Sequence, residues 1–273
     1  MSTPPRFVVI GNPVGHSLSP AIHAQFAKET GIALEYTTLL APLDDFAGAA
    51  RAFFAGGGRG ANVTLPFKLE ALRFAESATE RARLAGASNV LTANGDRIVA
   101  DNTDGAGLIG DLRSNLGVSL QGARIAVAGA GGAARGVIAP LLACNPAVLV
   151  IANRTADRAR ELAREFGSLG AVEARGLADL AGGDFDLLIN ATSTSTKGTP
   201  LELPAGCLAR GALAYDMMYG PAAKPFLEHA RALGARGSDG LGMLVEQAAE
   251  VFHVWHGVRP GTAAVLSKLR EGK

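Results

Sequence analysis

The sequence predicts an α/β protein built from two α/β domains, the first around a mostly parallel sheet, the two joined by crossing helices. Three observations carry that expectation. Short apolar runs alternate with helical stretches along the chain. The apolar run Arg124-Ile-Ala-Val-Ala-Gly129 leads directly into Gly129-Ala-Gly-Gly-Ala-Ala134, a G-x-G-x-x-A turn opening a helix from Arg135 to Ala143. No repeat and no low-complexity linker interrupts the chain, so this Rossmann-like unit reads as an insert whose flanking segments pack together. The expected division is residues 1–104 plus 240–273 for the first domain and 105–239 for the second.

Bulk composition narrows the class. With 273 residues, 48% hydrophobic and 19% charged, the chain can bury a sizeable core and is not disordered. A net charge of +1 gives no electrostatic case for nucleic acid or a membrane surface. The two cysteines, Cys144 and Cys207, lack disulfide or metal spacing and read as buried small hydrophobes in a reducing compartment. Met1-Ser-Thr-Pro-Pro-Arg6 has no apolar core of a signal sequence, so the cytoplasm is the expected location. His253 and His256 lie on an apolar helix without an acidic or cysteine partner at suitable spacing, so no metal is expected.

Taken in order, Phe7–Gly11 is predicted as the first strand. The loop to Pro20 follows, with Ser19 suited to an N-cap and Pro20 to a first helical turn. That helix stops near Gly31. Leu34–Leu40 is a strand, Leu43–Phe54 a helix ending at Gly56-Gly-Gly58, and Gly60–Leu65 a strand broken by Pro66, after which Lys68 begins a helix. Ala87–Thr92 and Arg97–Ala100 are strands joined at Asn94-Gly95, a hairpin signal. Ala106–Leu116 is a helix crossing to the inserted unit. Beyond Arg158 the alternation continues, with strands at Phe185–Asn190 and Ala212–Asp216 and a helix at Pro225–Leu233. A long helix opens at Gly240 and runs through Trp255, and one short helix ends the chain. The cleft between two such layers is the expected active site, closing about Asp104-Gly105 and Asp239-Gly240.

The glycine turn places backbone N–H groups of Gly129, Ala130, Gly131, Gly132 and Ala133 at a helix N-terminus, where a pyrophosphate is favoured. The next apolar run ends in Asn153-Arg154-Thr155, with Arg158 three residues on, where an NAD site would carry Asp or Glu. A guanidinium suits a 2′-phosphate instead, so the expected cofactor is NADP.

In the first half, polar side chains gather at strand ends: Ser17, Ser19, Asn62, Thr64, Asn89 and Asp104. Asn62 and Asn89 also read as loop residues satisfying backbone groups. Lys68 opens a helix against the macrodipole, a local cost that suggests a function. Gln247 is an amide on the apolar stripe Met243, Leu244, Ala248 and Val251, pointing to a ligand or a buried partner.

These stretches carry a resemblance. Gly11-Asn-Pro-Val-Gly-His-Ser-Leu-Ser-Pro20, Gly60-Ala-Asn-Val-Thr-Leu-Pro-Phe-Lys68, Gly86-Ala-Ser-Asn89 and Asp101-Asn-Thr-Asp-Gly105 are matched in the first half. Asn153-Arg-Thr155, Asn190-Ala-Thr-Ser193, Tyr215-Asp-Met-Met-Tyr219 and Asp239–Gln247 are matched in the second. Together with the glycine turn, and in that order, the chain resembles the NADP-dependent shikimate dehydrogenase family. The resemblance implies Lys68 and Asp104 as the catalytic pair. It implies Ser17, Ser19, Asn62, Thr64, Asn89, Tyr219 and Gln247 around shikimate, with the two serines meeting its carboxylate. Gly129–Ala133 and Asn153, Arg154, Thr155 and Arg158 would hold NADP, with Thr192, Met217, Gly240 and Met243 on the nicotinamide side. Glu80 falls at a position sometimes assigned to the cofactor. The chain departs from the family after Asn190-Ala-Thr-Ser193, where Thr194-Ser-Thr-Lys197 stands in place of an early glycine. A quinate-accepting dehydrogenase and a non-catalytic ligand sensor on the same fold are the competing readings. Sequence does not settle monomer versus homodimer.

Overall fold

A computed structural model describes residues 3–192, 194–195 and 201–271. Ser193 and the Thr196-Lys197 part of the unusual continuation lie outside these. The chain divides into two compact units, Met1–Gly107 with Val245–Gly272, and Leu108–Leu244.

The first unit contains β1 (Arg6–Gly11), α1 (Ser19–Thr30), β2 (Glu35–Leu40), α2 (Phe46–Ala55), β3 (Gly58–Val63) and α3 (Lys68–Phe74). It continues with β4 (Ser77–Ala78), α4 (Glu80–Ala85), β5 (Val90–Asn94) and β6 (Arg97–Asp101), then the start of α5 (Asp104–Gly110). Its sheet runs β2-β1-β3-β5-β6-β4. The β1–β2, β1–β3 and β4–β6 pairs are parallel, and β5 is antiparallel to both β3 and β6. One consequence positions the site. Because β5 and β6 form a hairpin, the start of β5 and the end of β6 lie at the same end of the sheet as the end of β3, in the register Asn62–Val90–Asp101.

The second unit holds β7 (Arg124–Ala128), α6 (Gly132–Leu142), β8 (Val148–Asn153), α7 (Ala156–Phe166) and β9 (Val172–Gly176). β10 (Phe185–Asn190), β11 (Leu208–Asp216), α8 (Lys224–Ala232) and β12 (Arg236–Asp239) complete its sheet and cover. The strand order β12-β11-β10-β7-β8-β9 is parallel throughout. It reverses direction between β7 and β10, the switch point at which doubly wound sheets bind ligands. All-apolar strands such as Val148–Ala152 are buried because helices cover both faces. The last helices are α9 (Leu241–His256) and α10 (Ala263–Glu271).

Three local expectations are corrected. Ser19 is not an N-cap: α1 begins at Ser19 itself, Leu18 takes the cap position, and no side chain caps the helix. The helix expected from Leu43 starts at Phe46, because the Asp45 carboxylate accepts from Gly48 N at 2.8 Å and fixes the cap there. The helix expected over Ala106–Leu116 begins at Asp104 and loosens into one wider π turn, Asp111–Asn115.

Packing in the first unit uses one apolar and one aromatic face. Val8, Ile10, Phe46, Phe67 and Leu91 form a buried cluster on one side. On the other, Phe26 meets Phe252 edge-on at 5.8 Å and Phe7 stacks on Trp255 at 4.6 Å. α9 is also tied down by charge. Arg81 grips Asp101 through Nε and Nη2, both at 2.6 Å, and reaches Glu250 at 2.8 Å. Arg259 then bonds Glu250 at 2.7 Å and Glu246 at 2.9 Å. Burial pushes the Asp101 carboxyl up, but the bonds from Arg81 and Thr79 outweigh it and leave the group below its ordinary value.

Two predictions follow from this packing. Arg81→Leu strands the buried Asp101 carboxylate and should cost about 3 kcal/mol, read as a lower thermal midpoint; an unchanged midpoint would mean that the network is not stabilising. His23 is fully buried with neither ring nitrogen hydrogen-bonded, and burial, assisted by His256, holds it down to about 3. The unfolded chain therefore takes up a proton that the folded chain refuses as pH falls below ~6.5. Stability should decline from there towards pH 4.5 by up to ~1.4 kcal/mol per pH unit, and His23→Phe should flatten that decline in denaturant titrations.

Candidate active site

The centre of the first unit's site is an ion pair. Lys68 Nζ lies 2.5 Å from Asp104 Oδ2, with the lysine side chain 22% exposed and the aspartate 8%. Lys68 is placed by the Pro66 break after β3, and Asp104 by the end of β6. The carboxylate opposite the amine also compensates a cation at the start of α3. Asp104 is held from its other side, where Asn89 Nδ2 donates to Oδ1 at 2.9 Å. Asp104 N in turn donates to Asn102 Oδ1 at 3.0 Å.

Asn89 is the hub of this arrangement. Its Nδ2 also faces Thr103 Oγ1 at 3.0 Å and Gln247 Oε1 at 3.2 Å, and its Oδ1 accepts from Thr103 N at 2.8 Å. The Gln247 amide thus has a buried polar partner on an apolar helix face. Asn62 Nδ2 donates to the Asn89 carbonyl at 3.3 Å, and Asn62 Oδ1 accepts from the Tyr36 hydroxyl at 2.7 Å. Ser17 Oγ donates to Ser19 Oγ at 3.2 Å. Thr64 stands two residues beyond Asn62, half-buried. Seven of the expected residues, Ser17, Ser19, Asn62, Lys68, Asn89, Asp104 and Gln247, therefore meet at one end of the sheet. Thr103 and Tyr36 were not singled out by sequence. Thr103 lies inside Asn102-Thr-Asp-Gly105 and is fully buried, so its position in that motif was the available signal.

The lysine has three donors and, among the described residues, uses one on Asp104. The arrangement can therefore offer an N–H to the oxygen of a bound alcohol or ketone while the carboxylate fixes the amine's direction.

The second unit's candidates sit at the carboxyl ends of its strands, where Ala152, Ala128, Asn190, Asp216 and Asp239 form one register row. Gly129 leaves β7 with φ +119°, and a Cβ there would meet the Ala191 carbonyl oxygen at 2.8 Å. Only glycine fits. Gly131 and Gly132 are different: an added Cβ would find no protein atom within 4 Å. Packing does not require glycine at either position, whereas a phosphate resting on the start of α6 would. No side chain caps α6 and no acidic residue occupies its first turn, which leaves the start of the helix suited to an anion. Arg154, Thr155 and Arg158 are exposed at the end of β8 and the start of α7, and among the described residues neither arginine makes a salt bridge. Asn153 Nδ2 shapes that turn by donating to the Thr155 carbonyl at 3.0 Å. These features fit a dinucleotide with a phosphorylated ribose.

At the end of β10, Thr192 is oriented by Asn190, whose Oδ1 accepts from Thr192 Oγ1 at 2.7 Å and from its N at 3.1 Å. Asn190 is fixed by the buried Asp216, which also accepts from Ser195 Oγ at 2.6 Å and Met218 N at 2.8 Å. Burial raises the Asp216 carboxyl above its ordinary value, against those hydrogen bonds. Ser195 is thereby tied to the ends of β10 and β11. Met217 N bonds the Asn190 carbonyl at 3.1 Å, and Gly240 packs so tightly on the Met217 carbonyl that a Cβ would collide with it. Tyr219 follows β11, its phenol raised by burial. Met243 is buried in the second unit's core with Tyr215 and Leu112. Glu80 is exposed in the first turn of α4, a place that suits any carboxylate.

Among the described residues no group of three or more His, Cys, Asp or Glu could hold a metal, and no helix is long and apolar enough to cross a membrane.

Comparison with known proteins matches this layout. Residues 9–91 match the shikimate dehydrogenase substrate-binding domain, and residues 111–200 match the shikimate/quinate 5-dehydrogenase model. A shikimate dehydrogenase (NADP(+)) of Dechloromonas aromatica is 57% identical over 265 residues, covering 97% of each chain. One from Laribacter hongkongensis is 53% identical, also covering 97% of each. The crystal structure of Thermus thermophilus shikimate 5-dehydrogenase in complex with NADP(H) and shikimate superposes with a TM-score of 0.87 at 32% identity, covering 98% of this chain and 100% of that one. With its two domains matched in order and its relatives aligned nearly end to end, the chain belongs to the shikimate dehydrogenase family.

Proposed function

We infer that the chain is an NADP-dependent shikimate dehydrogenase, reducing 3-dehydroshikimate reversibly to shikimate on the route to chorismate and the aromatic amino acids. The observation that carries this reading is the Lys68–Asp104 contact of 2.5 Å, braced by Asn89. Bound NADPH supplies the hydride. In the reductive direction Lys68 hydrogen-bonds the ketone oxygen, polarises it and delivers the proton that the new alcohol needs. In the oxidative direction the same amine receives it. Asp104 keeps the amine directed and accepts a substrate hydroxyl's hydrogen bond. Ser17 and Ser19 meet the carboxylate, while Asn62, Thr64, Asn89 and Gln247 hold the ring hydroxyls.

The N–H groups from Gly129 to Ala133 would hold the diphosphate, and Arg154, Thr155 and Arg158 the 2′-phosphate. Thr192, Met217 and Gly240 would set the nicotinamide side. We place the enzyme in the cytoplasm, acting on a small molecule. Sedimentation of the purified chain distinguishes one copy from a homodimer.

Lys68→Ala should lower turnover by ~10²–10⁴-fold while NADP+ affinity stays near normal; near-complete retention of turnover would remove Lys68 from the mechanism. Arg154→Ala should weaken NADPH by about tenfold and NADH hardly at all. Equal losses for both cofactors would undo the 2′-phosphate assignment.

A further inference from the structure

Tyr36 is the odd residue of β2. That strand lies at the edge of its sheet and is largely exposed, yet Tyr36 turns inward and reaches over β1 towards β3. Its hydroxyl donates to Asn62 Oδ1 at 2.7 Å, and it also shares a side-chain hydrogen bond with Ser19. One phenol oxygen therefore joins the serine pair at the start of α1 to the carboxamide at the end of β3.

The ring has a rigid support. His23 stacks flat against it, centroids 4.2 Å apart and planes within 10°. Trp255 lies 5.5 Å from His23 and 6.3 Å from Tyr36, and Phe252 sits 6.2 Å from the histidine. Neither His23 nitrogen has a hydrogen-bond partner, so the imidazole acts here as a flat packing surface and not as a polar group. A tyrosine ring wedged in this way has little freedom to swing its hydroxyl elsewhere.

The carboxamide of Asn62 needs such a constraint. Its oxygen and nitrogen are nearly the same size, and a half-turn exchanges an acceptor for a donor. With Tyr36 donating to Oδ1 and one N–H of Nδ2 directed at the Asn89 carbonyl, the second N–H is the group left for a ligand oxygen. Without the phenol the amide can present either end. The substitution would also release Ser19 from one of its two hydroxyl neighbours.

We propose that Tyr36 is a positioning residue of the substrate site: its hydroxyl, buttressed by the His23 ring, fixes the donor orientation of Asn62 and the place of Ser19. The inference rests on the reading of Ser19 and Asn62 as shikimate-binding residues. Tyr36 does not touch the reacting atoms. Its effect belongs in substrate affinity.

Tyr36→Phe removes one oxygen and keeps the ring stack. The KM for shikimate should rise about five- to tenfold, the scale of one buried hydrogen bond. The KM for NADP+ and the thermal midpoint should stay unchanged, with kcat within about twofold because no group on the reacting carbon is lost. In an Asn62→Ala background the same substitution should add less than about twofold, since the amide it orients is gone. An unchanged shikimate KM in Tyr36→Phe, an equal rise for NADP+, or a full additive loss in the double variant would overturn the inference. If Asn62→Ala alone leaves the shikimate KM unchanged, the underlying substrate-site reading fails and takes this inference with it.

Discussion

The Lys68–Asp104 ion pair is the interaction on which the first unit's site depends. A nearly buried carboxylate is costly unless its oxygens are satisfied, and here Asn89 and Lys68 take one each. That requirement explains the neighbours. Asn89 must sit at the start of β5 and Asp104 just past β6, which only an antiparallel hairpin against β3 can bring together. Thr103 and Gln247 meet the Asn89 side chain as well, and Asn62 bonds its backbone carbonyl. A merely structural pair would gain nothing from a partly exposed amine that, among the described residues, leaves two donors unused. The geometry preserves a cation poised beside an acceptor, at some cost in local electrostatics.

The second unit solves a different problem, bringing backbone close to an anion. Gly129 is dictated by its left-handed φ and by the Ala191 carbonyl. Gly131 and Gly132 face open space and are best explained by what approaches them. The row from Ala128 through Asn190 to Asp216 shows how polar groups are concentrated at one end of an otherwise apolar parallel sheet. There the buried Asp216 aligns Asn190, and Asn190 aligns Thr192.

Much of this was legible in the sequence because the signals were local. The apolar strand before Gly129, the basic residues after Asn153 and the turn at Asn94-Gly95 each encode their structure within a few residues. What escaped was set by distant partners. β12, Arg236-Gly-Ser-Asp239, carries no apolar pattern and is a strand because it pairs with β11. β4 is two residues long, too short for any periodicity. Ser19 has a good cap residue's chemistry, but its hydroxyl is engaged by Ser17 and Tyr36. The Tyr36–Asn62 contact joins residues 26 apart along the chain across an intervening strand, and no pattern in either segment announces it.

In the proposed mechanism one primary amine, aimed by a braced carboxylate, meets the oxygen of the alcohol being oxidised. A crystal structure of this chain with shikimate and NADP+ measures that directly. Lys68 Nζ should lie within ~2.6–3.2 Å of that oxygen, with Asp104 still engaged. An amine turned to bulk solvent, with another side chain on the reacting oxygen, would contradict it.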